Sequence, residues 1–382
     1  MSLRRAHPAF LLPLLLMLAC GASGEDVRRD PSPPSPASFD FREVTTGQFH
    51  SCAISAEGDV ACWGGNEVGQ LGDGTTETRT VPVWVRGIDF AIDVDAGAWQ
   101  TCAIVEGGGA SCWGGGRPGT VLTVPNRLGG VPGGVIRSIA VGQTACALDL
   151  PGRAFCWGRG TVGEAAAQAT PIQSSRRAQY IDVGIDRGCL LLGPDLAECF
   201  LVRASADGAE QDYTFPTIEL QPSIHDIRHV TVSGEHACFT GHGKIFCWGD
   251  NAHGQLGTGG REPADQPVEV DVGEAIMDAS AGWRHSCAVT TSGAVLCWGD
   301  NTWGQLGTGG NASSDRPVAV VGLEEPAIRV AAGMGHTCVV TMGRDVYCWG
   351  LNRQGQLGLG NRENRLVPSR VMTDRLGAPR AR

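Results

Sequence analysis

Short apolar runs recur along the chain in pairs, and each pair flanks a turn that contains glycine. In one repeat, residues 287–290 read Cys-Ala-Val-Thr, the turn is Thr291-Ser292-Gly293, and residues 294–297 read Ala-Val-Leu-Cys. Two apolar runs joined by a three-residue loop with glycine are typical of a β-hairpin. The pattern therefore predicts a series of hairpins.

Apart from Cys20, the fourteen remaining cysteines fall into seven pairs with none left over. The first members recur every 43 to 51 residues, a period expected of propellers or solenoids. The pairs are Cys52 with Cys62, Cys102 with Cys112, Cys146 with Cys156, Cys189 with Cys199, Cys238 with Cys247, Cys287 with Cys297, and Cys338 with Cys348.

Hairpin register predicts that the two cysteines of each pair face each other. A three-residue loop centred on Ser292 places Cys287 opposite Cys297, and a two-residue loop His242-Gly243 keeps Cys238 opposite Cys247. Directly opposed residues of a non-hydrogen-bonded pair have Cα atoms about 4.5 Å apart, within the range of a disulfide. We expect seven disulfides, one per hairpin, and hence an oxidising compartment. The alternative is that the paired cysteines bind zinc. It is disfavoured because cysteines nine or ten residues apart across a hairpin do not have the C-x2-C spacing of zinc ligands.

Most repeats continue after the second cysteine with Trp-Gly, an asparagine and Gly-Gln-Leu-Gly. Trp298-Gly299 and residues 304–307 are one instance, and a Pro-x-x-Val strand, 317–320, follows. This pattern resembles the propeller repeat of the regulator of chromosome condensation family, in its cysteine-bearing bacterial form. The resemblance implies an all-β, seven-bladed β-propeller of four-stranded antiparallel blades around a central channel. Three repeats depart from this pattern. The second repeat keeps only Trp113-Gly114 and the third keeps only Trp157-Gly158, whereas the fourth has Phe200-Leu201 in place of Trp-Gly.

The ends of the repeat array suggest how the ring closes. A Pro-x-x-Val strand precedes every repeat except the first, where Phe39 follows directly on a proline-rich segment. A strand over 367–371 is left over at the other end. We therefore expect the C-terminal strand to join the first blade, which removes an open sheet edge.

The N-terminal region has the features of an export signal. Arg4 and Arg5 precede an apolar run over 9–19 that is too short to span a bilayer. Residues 17–20, Met-Leu-Ala-Cys, resemble a bacterial lipobox, so Cys20 is the expected lipidation site, with plain cleavage as the alternative. The predicted divisions are a signal peptide over 1–20, a Pro-rich tether over 21–38, the propeller over 39–372 and a tail over 373–382. The expected location is the outer membrane, the periplasm or the cell exterior.

Charge disfavours a nucleic-acid partner. The net charge is −10 and Lys244 is the only lysine, whereas nucleic-acid affinity depends on clustered Lys and Arg. No cofactor and no metal are expected, because no unique catalytic or ligand constellation stands out from the repeats.

Several polar residues recur once per repeat and are interpreted as structural. His50, His236, His285 and His336 each stand two residues before the first cysteine, and copies on separate blades cannot converge on one reacting atom. Asp93, Asp182 and Asp278 are expected to share one position and to bond between blades or within turns. The repeated Gly-Gln-Leu-Gly resembles a phosphate-binding loop, but no helix pattern follows it, so it predicts a turn.

The turn before each hairpin varies in sequence, and fold symmetry predicts that the seven turns form a ring on one face. Aromatic and Arg side chains there are typical anchors of a protein interface. Packing of Trp99 and Trp283 on neighbouring blades is the alternative. The candidate partner-binding residues are Phe49, Trp99, Gln100, Asp186, Arg187, Glu235, Trp283, Arg284 and Met334.

These features favour a monomeric protein-binding scaffold, secreted or anchored to the membrane only through an N-terminal lipid. One alternative is a hydrolase or lyase with its active site in the central channel. Two close, buried carboxylates or a bound metal in the channel would favour this alternative. Two others come from the family resemblance. They are a secreted enzyme inhibitor similar to the β-lactamase-inhibitory propeller, and a guanine-nucleotide exchange factor, which the export signal disfavours.

Overall fold

The computed structural model describes residues 39–115, 121–129, 131, 134–157, 169–174, 176–185, 187–203, 212–214, 217–219 and 226–378. These residues form seven antiparallel sheets and a short 3-10 helix, Thr373–Arg375. No helix among them is long and apolar enough to cross a membrane. The signal, the tether, Cys20 and Asp186 lie outside the described residues.

Each sheet consists of strands that are consecutive in the chain. Blade 1 has β1 (Phe41–Thr46), β2 (His50–Ser55), β3 (Val60–Gly64) and β4 (Arg79–Trp84), and blade 2 has β5 (Ala91–Ala96), β6 (Gln100–Val105), β7 (Ala110–Gly114) and β8 (Leu122–Arg127). Blade 3 has β9 (Ile136–Val141), β10 (Ala145–Asp149), β11 (Ala154–Trp157) and β12 (Thr170–Ile172). Blade 4 has β13 (Tyr180–Val183), β14 (Arg187–Gly193), β15 (Leu196–Arg203) and β16 (Asp212–Thr214), with β17 (Thr217–Glu219) also paired to β15.

The last three blades repeat the four-stranded arrangement. Blade 5 has β18 (Ile227–Val232), β19 (His236–Gly241), β20 (Lys244–Gly249) and β21 (Ala264–Val270). Blade 6 has β22 (Ile276–Ala281), β23 (His285–Thr290), β24 (Val295–Gly299) and β25 (Ser314–Ala319), and blade 7 has β26 (Ala327–Ala332), β27 (His336–Thr341), β28 (Val346–Gly350) and β29 (Arg365–Arg370). The predicted seven-bladed β-propeller is confirmed.

The hairpin between the second and third strands of each blade has the predicted register. Both cysteines of every pair are direct cross-strand partners, with Cα atoms 4.0 to 4.1 Å apart, and they form a disulfide. From blade 1 to blade 7 the bonds join Cys52 to Cys62, Cys102 to Cys112, Cys146 to Cys156, Cys189 to Cys199, Cys238 to Cys247, Cys287 to Cys297, and Cys338 to Cys348. The predicted pairing is therefore confirmed in all seven blades.

Blade 5 uses the predicted shortened turn, because Gly241 pairs with Lys244. His242 and Gly243 both have positive φ, at 51° and 72°. A two-residue primed turn requires this conformation at both of its central residues. The loss of one residue from the turn thus keeps the cysteines of this blade opposite each other.

The predicted closure of the ring is wrong. Strand β29 pairs with β28 and is the outer strand of blade 7, so it does not join blade 1. The inner strand of each blade is the segment just before the hairpin, and the Pro-x-x-Val strand that follows is the outer one. β1 and β4 therefore complete blade 1 without a C-terminal strand.

Side-chain packing closes the ring instead. Phe41 and Trp63 of blade 1 share a buried cluster with Val340 of blade 7. The backbone N–H of Phe41 donates to the carbonyl of Arg344 at 3.0 Å. Beyond the last strand, the indole N–H of Trp84 donates to the carbonyl of Gly377 at 2.7 Å.

The hydrophobic core lies between blades rather than within one central layer. Each of seven buried clusters takes its residues from two neighbouring blades. The Trp after the second cysteine packs against the preceding blade, and the indole N–H of Trp349 donates to the carbonyl of Gln305 there at 2.8 Å. A propeller built this way presents its inner strands to the channel and its turns to two opposite faces.

Candidate binding face and central channel

The turns before the seven hairpins surround one end of the channel. We call the surface formed by 47–49, 97–99, 142–144, 184–185, 233–235, 282–284 and 333–335 the turn face. Turns of adjacent blades are in close contact here, since a Cβ on Gly282 would lie 2.6 Å from the carbonyl of Gly333. The N–H of Trp283 donates to that same carbonyl at 3.1 Å. Glycine is required because a side chain would displace the neighbouring blade.

A cavity of about 150 Å³ opens in the centre of the turn face, and residues from all seven blades line it. We call it the channel mouth. Apolar side chains at its entrance include Ile185, Trp283 and Met334, and Asp95 and Asp182 lie on its lining as well. The structure thus brings the seven turns together in the ring that fold symmetry predicted.

Aromatic side chains lie on the turn face in blades 6, 1 and 2, and blade 7 between them contributes Met334. The rings of Phe49 and Trp99 are 5.3 Å apart, and Trp99 is 39% exposed. The guanidinium of Arg284 lies 4.4 Å from the ring centre of Trp283. Trp303, from the Gly-rich turn of blade 6, lies against Gly335, where a Cβ would sit 2.7 Å from the indole Cζ3. We call Trp283, Arg284, Trp303, Met334, Phe49 and Trp99 the aromatic arc.

The structure separates the predicted binding residues into two groups. Phe49, Trp99, Glu235, Trp283, Arg284 and Met334 lie on the turn face with exposed or partly exposed side chains, and Arg187 at the start of β14 is partly exposed. Gln100 is a correction, because it is 4% exposed and cannot contact a partner. It is the first residue of β6 and pairs with Gly114, as His285 pairs with Gly299, so it occupies the buried histidine position of blade 2.

The repeated histidines make structural hydrogen bonds, as predicted, and these bonds join one blade to the next. Thr337 of blade 7 donates its single hydroxyl proton to the carbonyl of Gln305 at 2.9 Å, so it accepts from Nε2 of His285 at 3.0 Å. The same arrangement recurs for His50 with Thr101, His236 with Ser286 and His336 with Ser51.

This arrangement fixes the tautomer of the imidazoles and leaves their Nδ1 atoms as acceptors. In blade 5 the Nδ1 of His236 is 2.9 Å from the hydroxyl of Ser233. The Nδ1 atoms of His50, His285 and His336 have no hydrogen-bond partner among the described residues, although these histidines are fully buried. Burial lowers the pKa of His50, His236 and His336 to about 3 and that of His285 to about 4, so all four are neutral.

The inner strands place titratable side chains along the channel. One ring, opposite the first cysteine of each hairpin, contains Thr45, Asp95, Asp182, Thr231 and Ser280. A second ring, two residues earlier, contains Glu43, Asp93, Ser138, Tyr180, His229, Asp278 and Arg329. The Tyr180 hydroxyl and Nε2 of His229 are 2.6 Å apart.

The predicted common position of the three aspartates is wrong, because Asp182 belongs to the first ring whereas Asp93 and Asp278 belong to the second. Their predicted bonding between blades is confirmed. Asp182 accepts the N–H of Val232 at 2.6 Å, and Asp278 accepts that of Val330 at 2.9 Å.

Burial raises the pKa values of the channel carboxyls. The pKa of Glu43 is raised to about 8 by burial and then by Asp93, and that of Asp182 to about 7 by burial and then by Asp95. Burial and Asp95 raise the pKa of Asp93 to about 7, and burial raises that of Asp278 to about 6. In the described part of the chain, no group of three His, Cys, Asp or Glu residues could hold a metal ion.

Five titratable residues of the channel were not identified from the sequence. They are spaced regularly, because each lies seven or nine residues before the first cysteine of its hairpin. A count back from each first cysteine would have aligned them as two rings. They are Glu43, Asp95, Tyr180, His229 and Arg329.

Similar proteins of known sequence carry the same repeat. The chain is 28% identical over 345 residues to the ultraviolet-B receptor UVR8 of Arabidopsis thaliana, which covers 86% of this chain and 69% of that protein. It is 28% identical over 260 residues to the human E3 ubiquitin-protein ligase HERC2, covering 63% of this chain but only 5% of the ligase. A receptor and an enzyme thus both contain such repeats.

Among solved structures, Prp20p from Saccharomyces cerevisiae superimposes with a TM-score of 0.66 at 18% identity, covering 77% of this chain and 80% of that one. This similarity concerns the fold. Two models of the regulator of chromosome condensation (RCC1) repeat match the chain, one at 57–104, 242–289, 292–340 and 345–377, the other at 41–70, 227–255, 278–305 and 327–356. Together they cover more than half of the sequence, and the chain therefore belongs to the regulator of chromosome condensation (RCC1) repeat family.

Proposed function

We propose that this protein is a binding scaffold that docks a partner protein on its turn face. The aromatic arc carries the proposal, because it places three tryptophans, a phenylalanine, a methionine and a stacked arginine on the turn face, with Trp283 and Met334 lining the channel mouth. Trp and Arg are among the residue types most enriched in the anchors of protein interfaces. Exposed aromatic clusters of this kind mark interaction sites on soluble domains.

Rigidity of the face supports the same conclusion. Seven disulfides staple the hairpins that follow the seven turns, and blade-to-blade hydrogen bonds hold the turns against one another. A preorganised surface loses little conformational entropy on binding. Prp20p, which shares the fold, has been described together with its binding to Gsp1p and histones. For that protein, too, the propeller accompanies protein recognition.

The seven disulfides indicate an oxidising extracellular or periplasmic environment. Within that environment we propose a monomer that is exported by residues 1–20 and tethered by the Pro-rich segment 21–38. Lipidation at Cys20 would anchor it to a membrane, so that the turn face is free to meet a partner. The net charge of −10 supports a protein partner over a nucleic acid.

The proposal predicts that Trp99→Ala/Trp283→Ala abolishes partner capture while the fold survives. Each aromatic anchor of an interface contributes roughly 2 kcal/mol or more to binding, so the double variant should bind at least about 100-fold more weakly. The measurement is affinity capture from envelope proteins of the source organism, with immobilised mature protein as bait, followed by titration of the captured partner.

The matched control is Leu150→Ala/Met342→Ala. These side chains are 64% and 66% exposed on hairpin loops, at the opposite end of the blades from the turn face. The control should capture the partner like the wild type. Equal capture by the tryptophan variant would contradict the proposed face, and so would loss of its cooperative thermal unfolding, which would make both tryptophans core residues.

A further inference from the structure

The channel mouth has the chemistry of a site for a positively charged side chain. We propose that it binds the ammonium or guanidinium group of a lysine or arginine that the partner protein inserts there, an inference that rests on the proposed binding face. The site combines a cavity of side-chain size, apolar walls at its entrance and hydrogen-bond acceptors deeper in.

The shape of the mouth suits an extended side chain with a polar end. Ile185, Trp283 and Met334 line the entrance, where the methylene groups of lysine or arginine would pack. The polar groups beyond them are the hydroxyls of Thr45, Thr231 and Ser280 and the carboxyls of Asp95 and Asp182.

The lining of the mouth has two carboxyls, those of Asp95 and Asp182, and no cationic side chain among the described residues, which favours a cation. The carboxyl groups that face the channel belong to Glu43, Asp93, Asp95, Asp182 and Asp278, and the cationic groups that act on them are Arg42 and Arg329. Tyr180 and His229 complete the titratable groups, and His229 is neutral because burial lowers its pKa to about 4. Because burial raises the pKa values of these carboxyls, they are partly protonated near neutral pH, and a bound cation would favour their ionised forms.

Three unpartnered acceptors independently point to a donor. The Nδ1 atoms of His50, His285 and His336 carry lone pairs, because each imidazole donates through Nε2. They are directed at the lining glycines Gly47, Gly282 and Gly333, and lie 2.8, 2.6 and 2.9 Å from where a Cβ would be. In blade 5 a hydroxyl of Ser233 fills this position. Buried lone pairs without donors add to the negative potential of the mouth.

The test is an NMR titration of mature protein labelled with 15N-glycine, using the peptide acetyl-Gly-Lys-Gly-amide at pH 8. Shifts are expected at the lining glycines, including Gly47, Gly97 and Gly282, and not at Gly58 or Gly293 in the hairpin loops. The norleucine analogue, which has the apolar stem without the charge, should produce no shifts there. Because burial and Asp95 raise the pKa of Asp182 to about 7, binding should be about tenfold weaker at pH 6 than at pH 8.

Two variants separate the site from the general charge of the protein. Asp95→Asn/Asp182→Asn should abolish the lysine-peptide shifts, whereas Asp265→Asn/Asp271→Asn, which removes two exposed carboxyls, should leave them unchanged. If the first variant fails to fold, Met334→Lys provides the second test. Its own ammonium should occupy the mouth and block the peptide, whereas Met342→Lys, which adds the same charge on an exposed hairpin loop, should not.

Equal shifts with the lysine and norleucine peptides would overturn the inference, as would a full lysine response in Met334→Lys. These outcomes are independent of the proposed function. If the lysine peptide fails to bind while Trp99→Ala/Trp283→Ala still abolishes partner capture, the cation site is wrong. The proposed function then stands, because the turn face binds a partner without an inserted cation. If the peptide binds but capture is unaffected, the binding face is wrong and the cation site remains.

Discussion

Reduction of all seven disulfides is expected to unfold the propeller at 25 °C. Each bond closes a loop with a sequence separation of 9 or 10, for which chain entropy assigns roughly 3 kcal/mol. The sum over seven bonds exceeds the roughly 5–15 kcal/mol that typically stabilises a folded domain. Circular dichroism and melting curves recorded with and without a phosphine reductant, followed by alkylation, provide the measurement.

Removal of one disulfide at a time provides the control for the reduction experiment. Cys287→Ala/Cys297→Ala should lower the free energy of unfolding by roughly 3 kcal/mol and still fold, because the other six bonds remain. A fully reduced and alkylated protein that keeps its cooperative melting transition would show that packing between blades suffices without the disulfides.

Protonation of the buried histidines is expected to lower the free energy of unfolding as the pH falls from 6.5 toward 3. The four buried histidines have folded pKa values of about 3 to 4, below the unfolded value of 6.5. Below pH 6.5 the unfolded chain therefore binds protons that the folded chain does not, and the stability present above that pH is lost. His285 contributes about 3 kcal/mol over this window, and each of the other three contributes up to about 5 kcal/mol.

The variant His285→Gln isolates the effect, because the channel carboxyls, whose raised pKa values act in the opposite direction, are common to both proteins. Blade 2 already carries Gln100 at this position. Denaturant unfolding at pH 7 and pH 4 should show a loss smaller by about 3 kcal/mol in the variant than in the wild type. The exposed His242→Gln should leave the loss unchanged, and an equal loss in His285→Gln would rule out the buried imidazole as its cause.

Sequence patterns were sufficient to predict the features that depend on local register. Cysteine spacing with glycine turns predicted the hairpins and their disulfides, including the shortened His242-Gly243 turn. The Trp-Gly and Gly-Gln-Leu-Gly motifs predicted the blades, and the spacing of the turns predicted a ring on one face. Each of these depends on residues a few positions apart, so the chemistry of a single repeat determines it.

The features that depend on contacts between blades were harder to predict. A Pro-x-x-Val strand lies between two hairpins, and the sequence alone does not tell which of them it pairs with, so the closure of the ring was assigned to the wrong blade. Gln100 is polar and stands next to an exposed tryptophan, but strand alternation turns its side chain inward. The channel rings were missed because their residue types differ from blade to blade, so that only the constant spacing to the first cysteine aligns them.

Hydrogen–deuterium exchange of the mature protein, alone and with its captured partner, would locate the binding face. We expect protection on binding to be confined to the turns 47–49, 97–99, 282–284 and 333–335 and to the Trp303 loop. Protection of the hairpin loops around Leu150 and Met342, with the turns unchanged, would show that the partner docks on the opposite face.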